Sequence, residues 1–275
     1  MKTRGAPILQ PLAAPVVFAA ALFIATMYSF TAHATSSSWT QLVPTTSPSA
    51  RYVALQMVYD KAHHNTVLFG GYGGGFLGST WTKSVVKLSP SQRFGSSMAY
   101  NPATKSVLHF GGDFNGHFLA DTWNWNGTAW SKLKPNHSPP PRAWSSMAYD
   151  TLSRQMILFG GYGGHYLSDT WNWNGKTWTH FFPKKSPTPR AVAAVVFDPN
   201  RGSLVLFGGD NHSTSIESAD TWTWSGATWT QLTLLLSPSP RDGAGMVFEQ
   251  QSGRILLFGG EQSSNVDEAD TWQIV

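Results

Sequence analysis

The chain has 275 residues, 12% charged and 13% aromatic, with 13 Trp, 26 Gly, 17 Pro and no Cys. Its formal net charge of +4 is spread without any Lys or Arg run, which excludes the basic stripe that nucleic-acid binding requires. The absence of cysteine excludes disulfides, so a domain of this size must be held by core burial alone.

The first segment is a leader. Lys2 and Arg4 form a positive start, Val16 to Phe30 an apolar run, and Ala32-His33-Ala34 a small-x-small cleavage site. Residues 1–34 are therefore expected to be a secretory signal peptide, leaving a single domain over 35–275. The alternative is an uncleaved anchor, although the 15 residues from Val16 to Phe30 fall short of the roughly 20 that span a bilayer. Loss of Lys2 and Arg4 lowers the net charge to +2, since residues 1–34 hold no acid. A secreted or envelope protein follows, with no membrane span after cleavage. Export without cysteine suits a bacterial source better than the eukaryotic secretory route.

Beyond residue 40 no stretch keeps a helical period, and strands with Gly and Pro turns dominate. Residues 142–178 give the template. Met147–Tyr149 is short and apolar, and Met156–Phe159 is apolar on both faces, as a doubly buried strand should be. Trp171 and Trp173 share a face, and Asn174-Gly175 predicts a two-residue type I′ hairpin into Trp178. Four antiparallel strands result. The unit recurs: Gly-Gly pairs stand at Gly70, Gly111, Gly160, Gly208 and Gly259, and an arginine leads each unit at Arg51, Arg93, Arg142, Arg190 and Arg241. Asp-Thr-Trp recurs from Asp121, Asp169, Asp220 and Asp270, weakened to Ser79-Thr80-Trp81 in the first unit.

An apolar strand ending in Gly-Gly, followed by spaced aromatics at a period near 50 residues, resembles the kelch repeat over roughly residues 38–275. The resemblance implies an all-β fold, a β-propeller of five kelch-like blades. Kelch propellers more often have six or seven, which leaves open a ring completed by a partner. The first unit has lost its Trp-x-Trp-Asn-Gly hairpin and is expected to be truncated. The fifth stops at Val275 without its last strand, while Trp39-Thr-Gln-Leu42 repeats Trp229-Thr-Gln-Leu232 and precedes Arg51 as Trp229 precedes Arg241. The last blade is therefore expected to be closed by the N-terminal strand, removing two open edges. A monomer is expected.

The paired tryptophans could stack sugars, but their recurrence reads as packing between blades. The resemblance also places the arginine linkers and the loops after Gly-Gly on one face, around the channel mouth, where kelch propellers commonly bind partners. It implies a ring of Arg51, Arg93, Arg142, Arg190 and Arg241 able to hold an acidic ligand, unless each pairs with a neighbouring Asp. Function is expected where repeats disagree. The loops of the first three units are aromatic with His, and those of the last two are acidic. Tyr72, Phe114, His117, Tyr162 and His165 are the candidate ligand-binding residues, with His212 beside them, and a glycan or protein is the expected ligand. His109 stands where Leu68, Leu158, Leu206 and Leu257 stand, and is expected to be a hydrogen-bonded core histidine. No His spacing fits a metal site, and no cofactor is expected. The chain also resembles the central domain of galactose oxidase, but that enzyme's Cys–Tyr copper cofactor is excluded here. Three functions remain: a binding module for a glycan or protein; a carbohydrate-active enzyme (hydrolase or isomerase type) using Asp113, Asp210, Glu217 or Glu261; or a structural part of an envelope assembly.

Overall fold

A computed structural model describes residues 56–73, 75–78, 80–81, 89–211, 217–262 and 266–274. Residues 1–34, Trp39–Leu42, Arg51, Ser79 and His212 lie outside the described residues.

All regular structure described is strand. The second, third and fourth sheets each have four antiparallel strands in meander order: Ser97–Asn101, Ser106–Phe110, Thr122–Trp125 and Trp130–Leu133; Ser146–Asp150, Gln155–Tyr162, Tyr166–Trp173 and Trp178–Phe181; and Ala194–Asp198, Ser203–Phe207, Thr221–Trp224 and Trp229–Leu232. The first sheet has Gln56–Asp60, Asn65–Phe69 and Thr80–Trp81, and the last has Gly245–Glu249, Arg254–Phe258 and Thr271–Ile274. Short ribbons, Asp113–Phe114 with His117–Phe118 and Glu261–Gln262 with Val266–Asp267, stand in the loops after two Gly-Gly pairs.

The leading strands of successive sheets lie side by side, and the sheets pack face to face as a propeller. Both faces of the middle strands are buried, which is why they read as unbroken apolar runs. Phe110 and Leu108 of the second sheet meet Met147, Leu158 and Trp178 of the third, and Ile157 and Phe159 of the third meet Leu206 and Trp229 of the fourth. The tryptophan opening each outer strand reaches back to the preceding sheet. Trp178 packs on Phe110 at 5.3 Å and donates Nε1–H to Thr122 Oγ1 at 3.0 Å; Trp229 packs on Phe159 at 5.1 Å and donates to Thr170 Oγ1 at 2.9 Å. Recurrent tryptophan is therefore inter-sheet cement.

The outer hairpin differs from expectation. Trp173 pairs with Trp178, so the turn holds four residues, and Asn174 is not left-handed as a type I′ turn demands. Its side chain supplies the geometry instead: Asn174 Oδ1 accepts from the Lys176 and Thr177 amides, both at 3.0 Å. Asn126 does the same for Thr128 and Ala129.

Among the described residues, side chains on the outward faces of the end sheets are exposed. Met57 and Tyr59 are 68% and 55% exposed, whereas Met147 and Tyr149 at the same register in the third sheet are buried. At the other end Val247 and Phe258 are exposed where Phe159 is buried.

Candidate partner-binding face

Arginine and Gly-Gly, separate signals in the sequence, are one device. Arg142 is fully buried; its Nη1 donates to Asp169 Oδ1 at 2.5 Å and to the Gly160 carbonyl at 3.1 Å, and its Nη2 donates to Asp169 Oδ2 at 2.8 Å. Trp171 Nε1–H completes that carboxylate at 2.7 Å. Arg93 with Asp121, Arg190 with Asp220 and Arg241 with Asp270 repeat the arrangement. The backbone carbonyl of each arginine then accepts the amide of the second glycine of the preceding sheet, as Arg190 O does from Gly161 at 2.9 Å. A Cβ at Gly160 would sit 2.5 Å from that same carbonyl, so the position must be glycine. The expected ring of ligand-holding arginines is corrected here. Arg93, Arg142, Arg190 and Arg241 are spent on the frame, because an unpaired guanidinium at that depth would cost far more than a forked pair.

The frame fixes the face. The residue after each arginine bridges the residue after the next Gly-Gly: Phe94 with Asp113, Ala143 with Tyr162, Ala191 with Asp210 and Asp242 with Glu261. One residue further on, Gly95, Trp144, Val192 and Gly243 run round the same face in series. The Trp144 amide donates to Gly95 O at 2.6 Å, Val192 to Trp144 O at 2.9 Å and Gly243 to Val192 O at 3.1 Å. All four have positive φ, 65°, 56°, 57° and 63°. Glycine adopts this freely, whereas Trp144 and the β-branched Val192 carry strain of order 1–3 kcal/mol each.

On this frame the candidate aromatic residues join into a strip. Tyr72 meets Phe76 at 5.7 Å, Phe76 meets Phe114 at 5.3 Å and Phe94 at 5.4 Å, and Phe94 meets Trp144 at 5.4 Å. Phe118 links Trp144 to Tyr162 at 6.4 and 5.6 Å, and Tyr162 meets Tyr166 at 5.1 Å. Tyr72, Phe114 and Tyr162 are thus brought together, with Phe114 40% exposed. His117 and His165 are exposed on the loops beside the strip. Phe94 and Trp144 were missed, although they also sit where repeats differ, in the linker after arginine instead of the loop after Gly-Gly. At the far end Trp144, Tyr162, Tyr166, Ala191, Val192 and Asp210 enclose a cup of about 240 Å³, where Tyr166 donates its hydroxyl to Asp210 Oδ2 at 2.7 Å.

The acidic loops lie further round. Asp242, Glu261, Asp267 and Glu268 line an open cleft at the last sheet. Asp113, a candidate enzymatic carboxylate, caps its own loop by accepting the Gly116 amide at 2.8 Å. Among the described residues, no group of three or more His, Cys, Asp or Glu could hold a metal ion.

His109 is wholly buried and packs edge-on to Phe69 at 5.1 Å and Trp130 at 5.7 Å, but neither ring nitrogen finds a partner. The expected hydrogen-bonded histidine is therefore an apolar-packed one. Burial above all, then the Arg93 charge, lowers its pKa from 6.5 to about 3, and Asp121 opposes this only in part. Unfolded chain accordingly takes up a proton that folded chain refuses, so stability is retained above about pH 6.5 and falls as pH drops towards 3. His109→Leu, restoring the residue of the other repeats, is expected to stabilise by ~1–3 kcal/mol. It should also flatten the fall between pH 6.5 and 4, as read by thermal melts across that range. A melt no higher than the parent's with the same pH slope would refute this account.

The family model described as the KLHDC2/KLHL20/DRC7 Kelch-repeats domain matches residues 103–274. No match was found among curated proteins.

Proposed function

Because the chain belongs to the kelch-repeat family, we propose that it is an exported interaction module whose partner, a protein, docks across the aromatic strip at the channel mouth. Kelch repeats typically mediate protein–protein interaction. The carrying observation is that Tyr72, Phe114, Tyr162 and Trp144 vary between repeats yet form one surface on a frame whose repeated residues are consumed by packing. Faces of this kind also stack on sugars, which keeps a glycan as the second ligand class. Export through the leader, with the mature chain starting at Thr35, completes the proposal.

The proposed fold is a five-bladed ring closed by Trp39–Leu42. Its support is a cavity of about 150 Å³ beside the last sheet, lined by Phe207, Thr221, Leu236, Ile255, Leu257 and Trp272 among others. Phe207 and Thr221 are the counterparts of Phe110 and Thr122, which receive Trp178. The Trp178 and Trp229 amides donate to His137 O and Lys185 O, each five residues before the next arginine; Leu236 holds that place before Arg241. Leu235 and Leu236 are strongly exposed beside the cavity.

A peptide array and a glycan array probed with the secreted chain, followed by titration of variants, test the function. Tyr162→Ala is expected to weaken the ligand several-fold, since one stacked ring contributes about 1 kcal/mol, without moving the melt much. A ligand indifferent to Tyr72, Phe114 and Tyr162 but lost with Glu261→Gln would transfer the site to the acidic loops and to an enzymatic role. Intact mass of the secreted product tests cleavage after Ala34.

A further inference from the structure

Resting on protein docking at the aromatic strip, we infer that the cup between the third and fourth sheets receives the cationic side chain of a Lys- or Arg-bearing peptide. Trp144, Tyr162 and Tyr166 supply three aromatic walls and Asp210 a carboxylate that is 9% exposed, within a cavity of about 240 Å³. That volume suits one ammonium or guanidinium head. Ring faces attract cations through their quadrupole, most strongly for Trp, and a nearly buried carboxylate adds a charge-assisted hydrogen bond. An anion would meet Asp210 at close range in a half-dry site.

Two further observations point into the same cup. The series of left-handed residues is glycine at Gly95 and Gly243, and departs from glycine at Trp144 and Val192, both of which line the cup. The strain is therefore concentrated where the cavity is, as expected of a shaped site. Trp144 is also pinned: its Nε1 lies over Gly95, where a Cβ would come within 2.7 Å, so the indole face is preset. Tyr166 orients Asp210 by its 2.7 Å hydrogen bond. The surrounding charge agrees. Arg142, Arg190 and Arg241 are each neutralised by their own carboxylate, while one repeat onward Asp242, Glu261, Asp267 and Glu268 line the open cleft. A basic segment leaving the cup meets acid next.

The experiment uses the full secreted chain and blocked peptides taken from the array, each made with its Arg or Lys intact, with Arg replaced by citrulline and with Lys replaced by norleucine. The charged peptides are expected to bind roughly five- to tenfold more tightly than their uncharged isosteres. Asp210→Asn and Trp144→Leu should erase that ratio, and a thermal melt with Tyr166→Phe separates loss of the cup from loss of the fold. Equal binding of charged and uncharged peptides, or an unchanged ratio in folded Asp210→Asn, overturns the cation cup. If those peptides still lose affinity with Phe114→Ala, which lies on the strip outside the cup, docking at the strip stands without it. If Phe114→Ala and Tyr72→Ala also change nothing, or only glycans bind, docking of a peptide at the strip fails as well.

Discussion

Asp169→Ala is expected to destabilise the protein by about 3–5 kcal/mol, because it leaves the Arg142 guanidinium buried without its counter-charge. Arg142 is fully buried and its partner only partly so, and Asp169 also holds Trp171 Nε1–H at 2.7 Å. The loss should far exceed the 0–1 kcal/mol of a surface pair. Asp169→Asn should fall between, keeping a hydrogen-bond acceptor but losing the charge. A paired Arg142→Met, Asp169→Leu variant should cost less than Asp169→Ala alone, since no charge is then stranded. The carboxylates leave a pH signature too. Burial raises the pKa of Asp121, Asp169 and Asp220, but hydrogen bonds and charge from the paired arginines, with the Trp N–H groups, outweigh it and hold all three below 3.8. Their stabilisation is present above the unfolded value and is lost as pH falls through the lower folded one. That window lies beneath the one attributed to His109, so His109→Leu should leave the contributions of Asp169 and Asp220 intact. Denaturant titration of these variants decides the matter, and a loss under ~1 kcal/mol for Asp169→Ala would sink the idea that the pair is a frame element.

If the segment closes the last sheet as proposed, Trp39→Ala or deletion of residues 38–42 is expected to lower stability by roughly 3–5 kcal/mol, the usual cost of removing a tryptophan from a core. The basis is the cavity of about 150 Å³ lined by Phe207 and Thr221, the counterparts of Phe110 and Thr122, which receive Trp178, and of Phe159 and Thr170, which receive Trp229. On that proposal, deletion would also leave Thr271–Ile274 as an open edge and promote self-association. Melting temperature and elution volume report the two effects. A synthetic peptide spanning residues 36–44 should restore the melt of the deletion variant. Parent-like melting and elution in the deletion would refute closure by the N-terminal segment.

By itself the sequence determined the repeat, the all-β class and the places where repeats disagree, because each of these is a local periodicity, while the propeller was what the kelch resemblance implied. An apolar run ending in Gly-Gly declares a doubly buried strand, and tryptophans two apart declare a shared face. The tertiary structure decided what local signals cannot carry. Arg142 and Asp169 are 27 residues apart in the chain, and only folding converts a candidate ligand-holding arginine into a buried ion pair. Asn174-Gly175 was misread because a side-chain acceptor, not backbone handedness, sets that turn. Phe94 and Trp144 escaped notice because the linker after one arginine meets the loop after the next Gly-Gly only through long-range bridges. Left-handed backbone at Trp144 and Val192 is invisible in sequence, since nothing in their letters says that a row of hydrogen bonds holds them where glycine would sit. Repetition fixes what is local and periodic, and long-range packing decides which of the exceptions come to share one surface.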